Sequence, residues 1–308
     1  MENPLLVALF LVFIAGALAL DLGLLQRNGS HRISPREALS WTVLWVTLAL
    51  SFGALVWIAK GPGSALAYLT AYLVEWSLSL DNVFVIALVF SSFAIPLRLQ
   101  HRTLVFGVLG ALLMRMLLIG AGVALVERFA WLLPLFGAFL IFTALRMLRP
   151  EDETEGGGAP SDHHLVRLLR RRLPVSERLS GGRFLVRQAG RLLLTPLGLA
   201  LLSIEAMDLV FAVDSIPAVL AISSDTFVIY TSNAFAILGL RSLYFLLAEA
   251  RERFGLLKYG LALTLLFIGG KLIAGGLLHW HLPEAVSLGA VILFIGGSIA
   301  LSLARSRR

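Results

Sequence analysis

Nine apolar runs, each long enough to cross a bilayer, leave this chain little choice of solvent. They cover about residues 5–21, 41–59, 65–91, 103–126, 129–148, 196–221, 226–249, 257–277 and 285–304. About 20 apolar residues in a helix span the ~30 Å hydrocarbon core. In lipid the backbone must satisfy its own hydrogen bonds, so the runs are read as transmembrane helices. The chain is 58% hydrophobic and 15% charged, with mean hydropathy +0.87, values that do not suit a water-facing exterior. The expected fold class is therefore all-α, a polytopic membrane protein of about nine transmembrane helices. The first run has Glu2 where a leader peptide carries basic residues, and LDLG follows it in place of a small-residue cleavage site. It is read as a retained helix ending near Asp21, which reads as an interfacial residue, with a contribution to the intramembrane acids as the alternative.

The basic residues report the orientation. The net charge of +7 comes from 26 Lys and Arg against 19 Asp and Glu, and nearly all the bases fall in alternate loops. Arg27, Arg32 and Arg36 follow the first span, Arg98 and Arg102 the third, Arg251, Arg253 and Lys258 the seventh, and Arg305, Arg307 and Arg308 the ninth. The richest loop, 149–195, follows the fifth, whereas Lys60 and Arg128 stand on the other side. The positive-inside rule then places the N-terminus outside and the C-terminus in the cytoplasm, in the inner membrane of the cell. Loop 149–195 opens on EDETEGGGAPSD, a linker composition expected to be disordered, with His163 and His164 as solvated residues. Its LVRLLRRRLPVSERL and GGRFLVRQAGRLLL segments read as basic amphipathic stretches on the anionic inner leaflet. Membrane lipids are thus expected partners and nucleic acid is not.

Two spans break their own apolar character. VEWSLSLDNVFVIALVF, from Val74 to Phe90, carries Glu75, Asp81 and Asn82; LSIEAMDLVFAVDSIPAVLAI, from Leu202 to Ile222, carries Glu205, Asp208, Asp214 and Ser215. An ionisable group at the centre of a membrane helix costs about 2.5–3.5 kcal/mol on insertion scales, which marks these positions as functional candidates.

Laying Asp81 on Asp214 brings the two spans into register. Glu75 then falls on Asp208 and Asn82 on Ser215, Arg115 of the next span matches Arg241, and LFGAFLIF around Gly137 resembles LLFIGGKL around Gly269. A repeat of three helices, residues 65–148 against 196–277, enters the bilayer from opposite sides, the inverted topology of many secondary transporters with a midplane site between the copies. The chain reads as one membrane domain, with spans 5–21, 41–59 and 285–304 flanking the repeats.

Six residues turn an α-helix by ~120°, so Glu75 and Asp81 do not share a face, nor do Asp208 and Asp214, and a bend is expected. Pro217 is expected to break the second helix and free the Val213 carbonyl beside Asp214, whereas Phe84 stands at that place in the first copy. Glu205 and Asp208, three apart, share a face. Arg115, Arg241 and Lys271 are the expected charge partners. Five acids against three bases leave two negative charges, which one divalent cation balances. Carboxylates, an amide and hydroxyls suit hard ions such as magnesium, calcium or manganese(II). The absence of cysteine removes thiolate ligands and nucleophiles. His279 and His281, around Trp280, read as interfacial residues, with a weak exit site as the alternative.

At these motifs the chain resembles the TerC family of integral membrane proteins, associated with tellurite resistance and including Alx-type manganese exporters. The resemblance is carried by EWSLSLDN (Glu75–Asn82), IEAMDLVFAVDSIPA (Ile204–Ala218) and TSNAFAILGLRSLYF (Thr231–Phe245). It implies export of manganese(II) as transported ion, with Glu75, Asp81, Glu205, Asp208 and Asp214 as ligands and no permanently bound cofactor. Protons are the expected exchange partner. An intramembrane metal-dependent enzyme is the alternative, although no HExxH is present and the acids are duplicated, so enzymatic activity is not expected; a stress-response scaffold is a third reading.

Overall fold

The computed structural model describes residues 4–27, 34–129, 131–149, 173–176, 179–188, 190–247, 256–278, 280 and 282–306. The opening of the long loop with His163 and His164, the pair His279 and His281, and the side chains of Asp21 and Asp81 lie outside the described residues. Among those described, nine helices run α1 Pro4–Arg27, α2 Pro35–Lys60, α3 Pro62–Ser92, α4 Leu97–Arg128, α5 Leu132–Leu148, α6 Pro196–Ile222, α7 Thr226–Leu247, α8 Leu257–Leu278 and α9 Glu284–Ser306. A short hairpin, β1 Leu185–Gln188 and β2 Arg191–Leu194, precedes α6. The chain is an all-α polytopic membrane protein.

Helix starts are written locally. Proline stands in the first turn of α2, α3 and α6, where its missing N–H removes no helical bond. Ser34 caps α2 by accepting from the Glu37 N–H at 3.2 Å, and Thr195 caps α6 by accepting from the Gly198 N–H at 3.1 Å. Asp225 caps α7 through the N–H groups of Phe227 and Val228, at 3.0 and 3.3 Å. Gly61 alone reverses the chain between α2 and α3, at φ 88°, a conformation that favours glycine.

Six helices, α2, α3, α4, α6, α8 and α9, are long and apolar enough to cross a membrane. Helix α7 is more polar because it faces protein rather than lipid: nearly all its residues are buried, including Thr231, Ser232, Asn233 and Arg241. It packs against α1, α2, α3 and α4. An aromatic cluster fixes that packing, with Phe235 stacked at 4.7 Å on Phe13 and 4.8 Å from Phe52, while Phe227 meets Phe10.

Helices α5 and α8 pack at two glycines. A Cβ on Gly137 would lie 2.7 Å from the Gly269 carbonyl oxygen, and one on Gly269 would lie 2.7 Å from that of Gly137. Four residues on in each helix, Ile141 and Ile273 fill the reciprocal positions. Small residues permit such close approach of membrane helices.

One expectation is corrected, and one stretch takes a form its composition left open. Helix α6 runs unbroken from Pro196 to Ile222 through Pro217, so the proline does not interrupt the span; neighbouring groups satisfy freed backbone in packed membrane helices. The stretch GGRFLVRQAGRLLL is a β-hairpin, with Val186 opposite Leu193 and Gln188 opposite Arg191. Gly190 at φ 77° supplies the turn, and the two-residue connection suits a tight hairpin.

Candidate ion site

Glu75 and Asn82 are seven residues apart on α3, so two turns bring them to one face without a bend. Opposite them α6 presents Asp208, and α4 inserts Arg115 between. The Arg115 guanidinium pairs with the Glu75 carboxylate on one side. On the other its Nη2 donates to Asp208 Oδ1 at 3.0 Å and its Nε to Oδ2 at 3.4 Å. Asn82 Nδ2 donates to the same Oδ1 at 3.3 Å. Glu75 is 0% exposed and Arg115 2%, so the ions are held away from water and survive by mutual neutralisation.

Beside this cluster is a cavity of about 20 Å³ between α3, α4, α6 and α7, lined by Asn82, Gly107, Ala111, Glu205, Asp208 and Leu240 among others. It has room for about one water-sized ligand. Glu205 and Asp208 both reach it, as their spacing of three on one helix face predicts. The Glu205 carboxylate lies against bare backbone of α4: a Cβ on Gly110 would stand 2.2 Å from Oε1, and one on Gly107 would be 3.9 Å away. Glu205 Oε2 is buried without a hydrogen-bond partner among the described residues, as is the Oδ1 of Asn82.

The other candidates lie apart. Asp214 is half-buried on another face of α6, where its Oδ1 accepts from Thr143 of α5 at 3.2 Å. Ser215, seven residues after Asp208, is buried with its hydroxyl unpartnered among the described residues. Arg241 is buried in α7. Lys271 does not serve the intramembrane acids: its Nζ pairs with Glu284 at 3.0 and 3.1 Å. A lysine stem reaches along the bundle towards the polar boundary, and Glu284 opens α9 there. The side chain of Asp81, an expected ligand, lies outside the described residues. Among the described residues no three of Asp, Glu and His form a group able to hold a metal ion.

Sequence reasoning missed Gly107, Gly110, Thr143 and Glu284. The glycine spacing, one face of α4 three residues apart, was the readable signal for a close approach; the partners of Asp214 and Lys271 depend on helix packing and leave no local signature.

Apolar spanning helices around a buried ionic cluster define a multi-pass integral membrane protein whose charged groups face its interior. The TerC family description, integral membrane protein TerC family, matches residues 60–308, and the chain belongs to that family. It is 48% identical over 298 residues to an Escherichia coli K12 protein named as a candidate membrane-bound redox modulator, Alx, covering 94% of this chain and 91% of that one. An uncharacterised membrane protein of Myxococcus xanthus is 45% identical over 305 residues, 99% of this chain and 94% of the relative. Another from Rickettsia conorii is 38% identical over 299 residues, covering 96% and 97%. No solved structure matches the chain.

Proposed function

We propose that the protein exports a divalent cation, manganese(II), across the inner membrane, with its N-terminus outside and C-terminus in the cytoplasm and with protons as counter-ion. One observation carries the reading: Glu205 Oε2 is buried at the cavity and lacks a hydrogen-bond partner among the described residues, while its neighbour Asp208 is balanced by Arg115 and Asn82. An unoffset carboxylate at membrane depth is a place for a cation. Glu205, Asp208 and the amide oxygen of Asn82 supply hard oxygen ligands around it, with Ser215, Asp81 and Asp214 as further stations along the path. Thiol redox chemistry is not open to a chain without cysteine.

Alternating access of two inverted repeats, about residues 65–148 and 196–277, is the proposed mechanism. Two contacts support it. Glu75 and Asp208, matching positions of the two copies, share one arginine. Gly137 and Gly269, another matching pair, meet reciprocally, as residues beside a two-fold axis do.

The test is flux into proteoliposomes with manganese, magnesium, calcium and zinc across an imposed pH gradient. Glu205→Gln is expected to abolish manganese flux in protein that elutes as wild type. Undiminished flux in Glu205→Gln, or in the double substitution Asp81→Asn with Asp214→Asn, refutes the ligand assignment.

A further inference from the structure

The hairpin before α6 carries an exposed mixed face that the ion path does not use. In an antiparallel pair alternate residues share a face, and the register Leu185 with Leu194 and Arg187 with Leu192 puts these four side chains on one side. Leu185 is 49% exposed and Leu192 61%, with Leu194 half-buried beside them. Arg183 and Arg187 are exposed next to these leucines, whereas the other side carries half-buried Val186 and Leu193 with exposed Gln188 and Arg191.

The base of the hairpin is fastened to two of the helices that line the cavity. Thr195 donates from its hydroxyl to the Arg183 carbonyl at 2.7 Å and from its N–H to the Phe184 carbonyl at 2.9 Å, so the hairpin leads directly into the α6 cap. The Phe184 ring packs edge-on to Phe106 at 5.2 Å, with the Arg102 guanidinium over it at 5.8 Å.

Depth follows from helix length. The 32 residues of α4 make a helix of ~48 Å, about 18 Å more than the hydrocarbon core, or ~9 Å beyond it at each end. Phe106 lies nine residues into α4, ~14 Å from its start. The hairpin base is thus laid against the bundle at the hydrocarbon–headgroup boundary, where exposed leucines meet acyl chains and arginines meet phosphates.

We propose that the β1–β2 hairpin is a docking surface for anionic phospholipids of the leaflet it faces: Leu185 and Leu192 enter the acyl boundary, and Arg183 and Arg187 beside them bind headgroup phosphates. The lipid so bound braces α4 and α6 at one mouth of the cavity.

Because the chain has no cysteine, a single environment-sensitive label at L192C reads the surface directly in the full-length protein. It is reconstituted in vesicles of zwitterionic lipid alone or with phosphatidylglycerol, some carrying brominated acyl chains. The expected result is a blue-shifted emission, quenched by the brominated chains, only in the anionic vesicles. The ratio of inserted to free label is expected to fall about fivefold for each arginine replaced in R183Q and R187Q, and by less in R191Q, which lies on the opposite face. These are exposed side chains, and unchanged gel-filtration elution checks the fold. A label that stays water-like in both vesicle types overturns the proposal, as does one that responds to added RNA and not to anionic lipid, or insertion equal in the presence and absence of Arg183 and Arg187.

Discussion

Replacing Arg115 tests whether the buried cluster is a neutralised clamp. The arginine is 2% exposed and stands between Glu75 and Asp208. Arg115→Met keeps the apolar bulk and removes the only cation described between them, leaving Asp208 with the Asn82 amide alone. Breaking a buried pair from one side costs about 3–5 kcal/mol. Proton uptake by one of the stranded acids offsets part of a second such loss, so the net is about 4 kcal/mol. For a chain of this size about 1 kcal/mol moves the melting temperature by about 2–4 °C, giving a drop of roughly 8–16 °C. The assay is the fraction of monodisperse protein left after heating in detergent. Arg115→Lys keeps the charge but loses the fork on Asp208, and falls between. The triple substitution E75Q/R115M/D208N removes every charge at once and recovers most of the loss, because uncharged groups carry a smaller desolvation penalty than stranded ions. A drop of under about 2 °C for Arg115→Met, or a triple variant no more stable than the single one, refutes the clamp.

Gly137→Ala and Gly269→Ala each push a methyl to within 2.7 Å of the partner's carbonyl and are expected to cost about 1–3 kcal/mol. Since both act on one contact, the double variant should cost less than the sum, read by the same heating assay. Gly110→Ala must displace the Glu205 carboxylate and is expected to cut cation flux by roughly tenfold, equal to ~1.4 kcal/mol; Gly107→Ala, which lines the same cavity but meets its nearest neighbours at 3.8 Å, should cut it less. Lys60 pairs with Asp225 at 2.6 Å in a part-buried bridge. Asp225→Asn retains a cap for α7 and should lose at most about 1 kcal/mol; Asp225→Ala should lose about 1 kcal/mol more, by thermal denaturation.

Solvent and secondary structure were legible because lipid forces each span to declare itself in composition. The site was legible one helix at a time. Glu75, Asp208 and Arg115 stand out as charges in apolar runs, and the matching of Glu75 with Asp208 came from the repeat alone. What no single helix encodes is which charge meets which. Lys271 belongs with Glu284 across an interhelical turn, and Asp214 with Thr143 across α5 and α6. The form of the hairpin was not legible because its basic, leucine-rich composition fits a surface helix as well as a strand pair, and only Gly190 spoke for a turn.

These partners change the charge balance that motivated a divalent ion. The count from sequence set five acids against Arg115, Arg241 and Lys271. With Lys271 bound to Glu284, two of those bases remain for the five acids, and Arg115 is shared by Glu75 and Asp208. The unmet charge therefore grows, and it is not spread evenly. Asp208 has Arg115 and Asn82, and Asp214 has the Thr143 hydroxyl with Arg146 three residues further along α5 in electrostatic range. Among the described residues Glu205 has neither cation nor donor at its buried Oε2. A charge left without a partner at membrane depth is neutralised from outside the protein, by a proton or a metal ion. The proposed ion-binding role thus concentrates on Glu205 at the cavity wall, with Asp208 beside it held by Arg115 and Asn82.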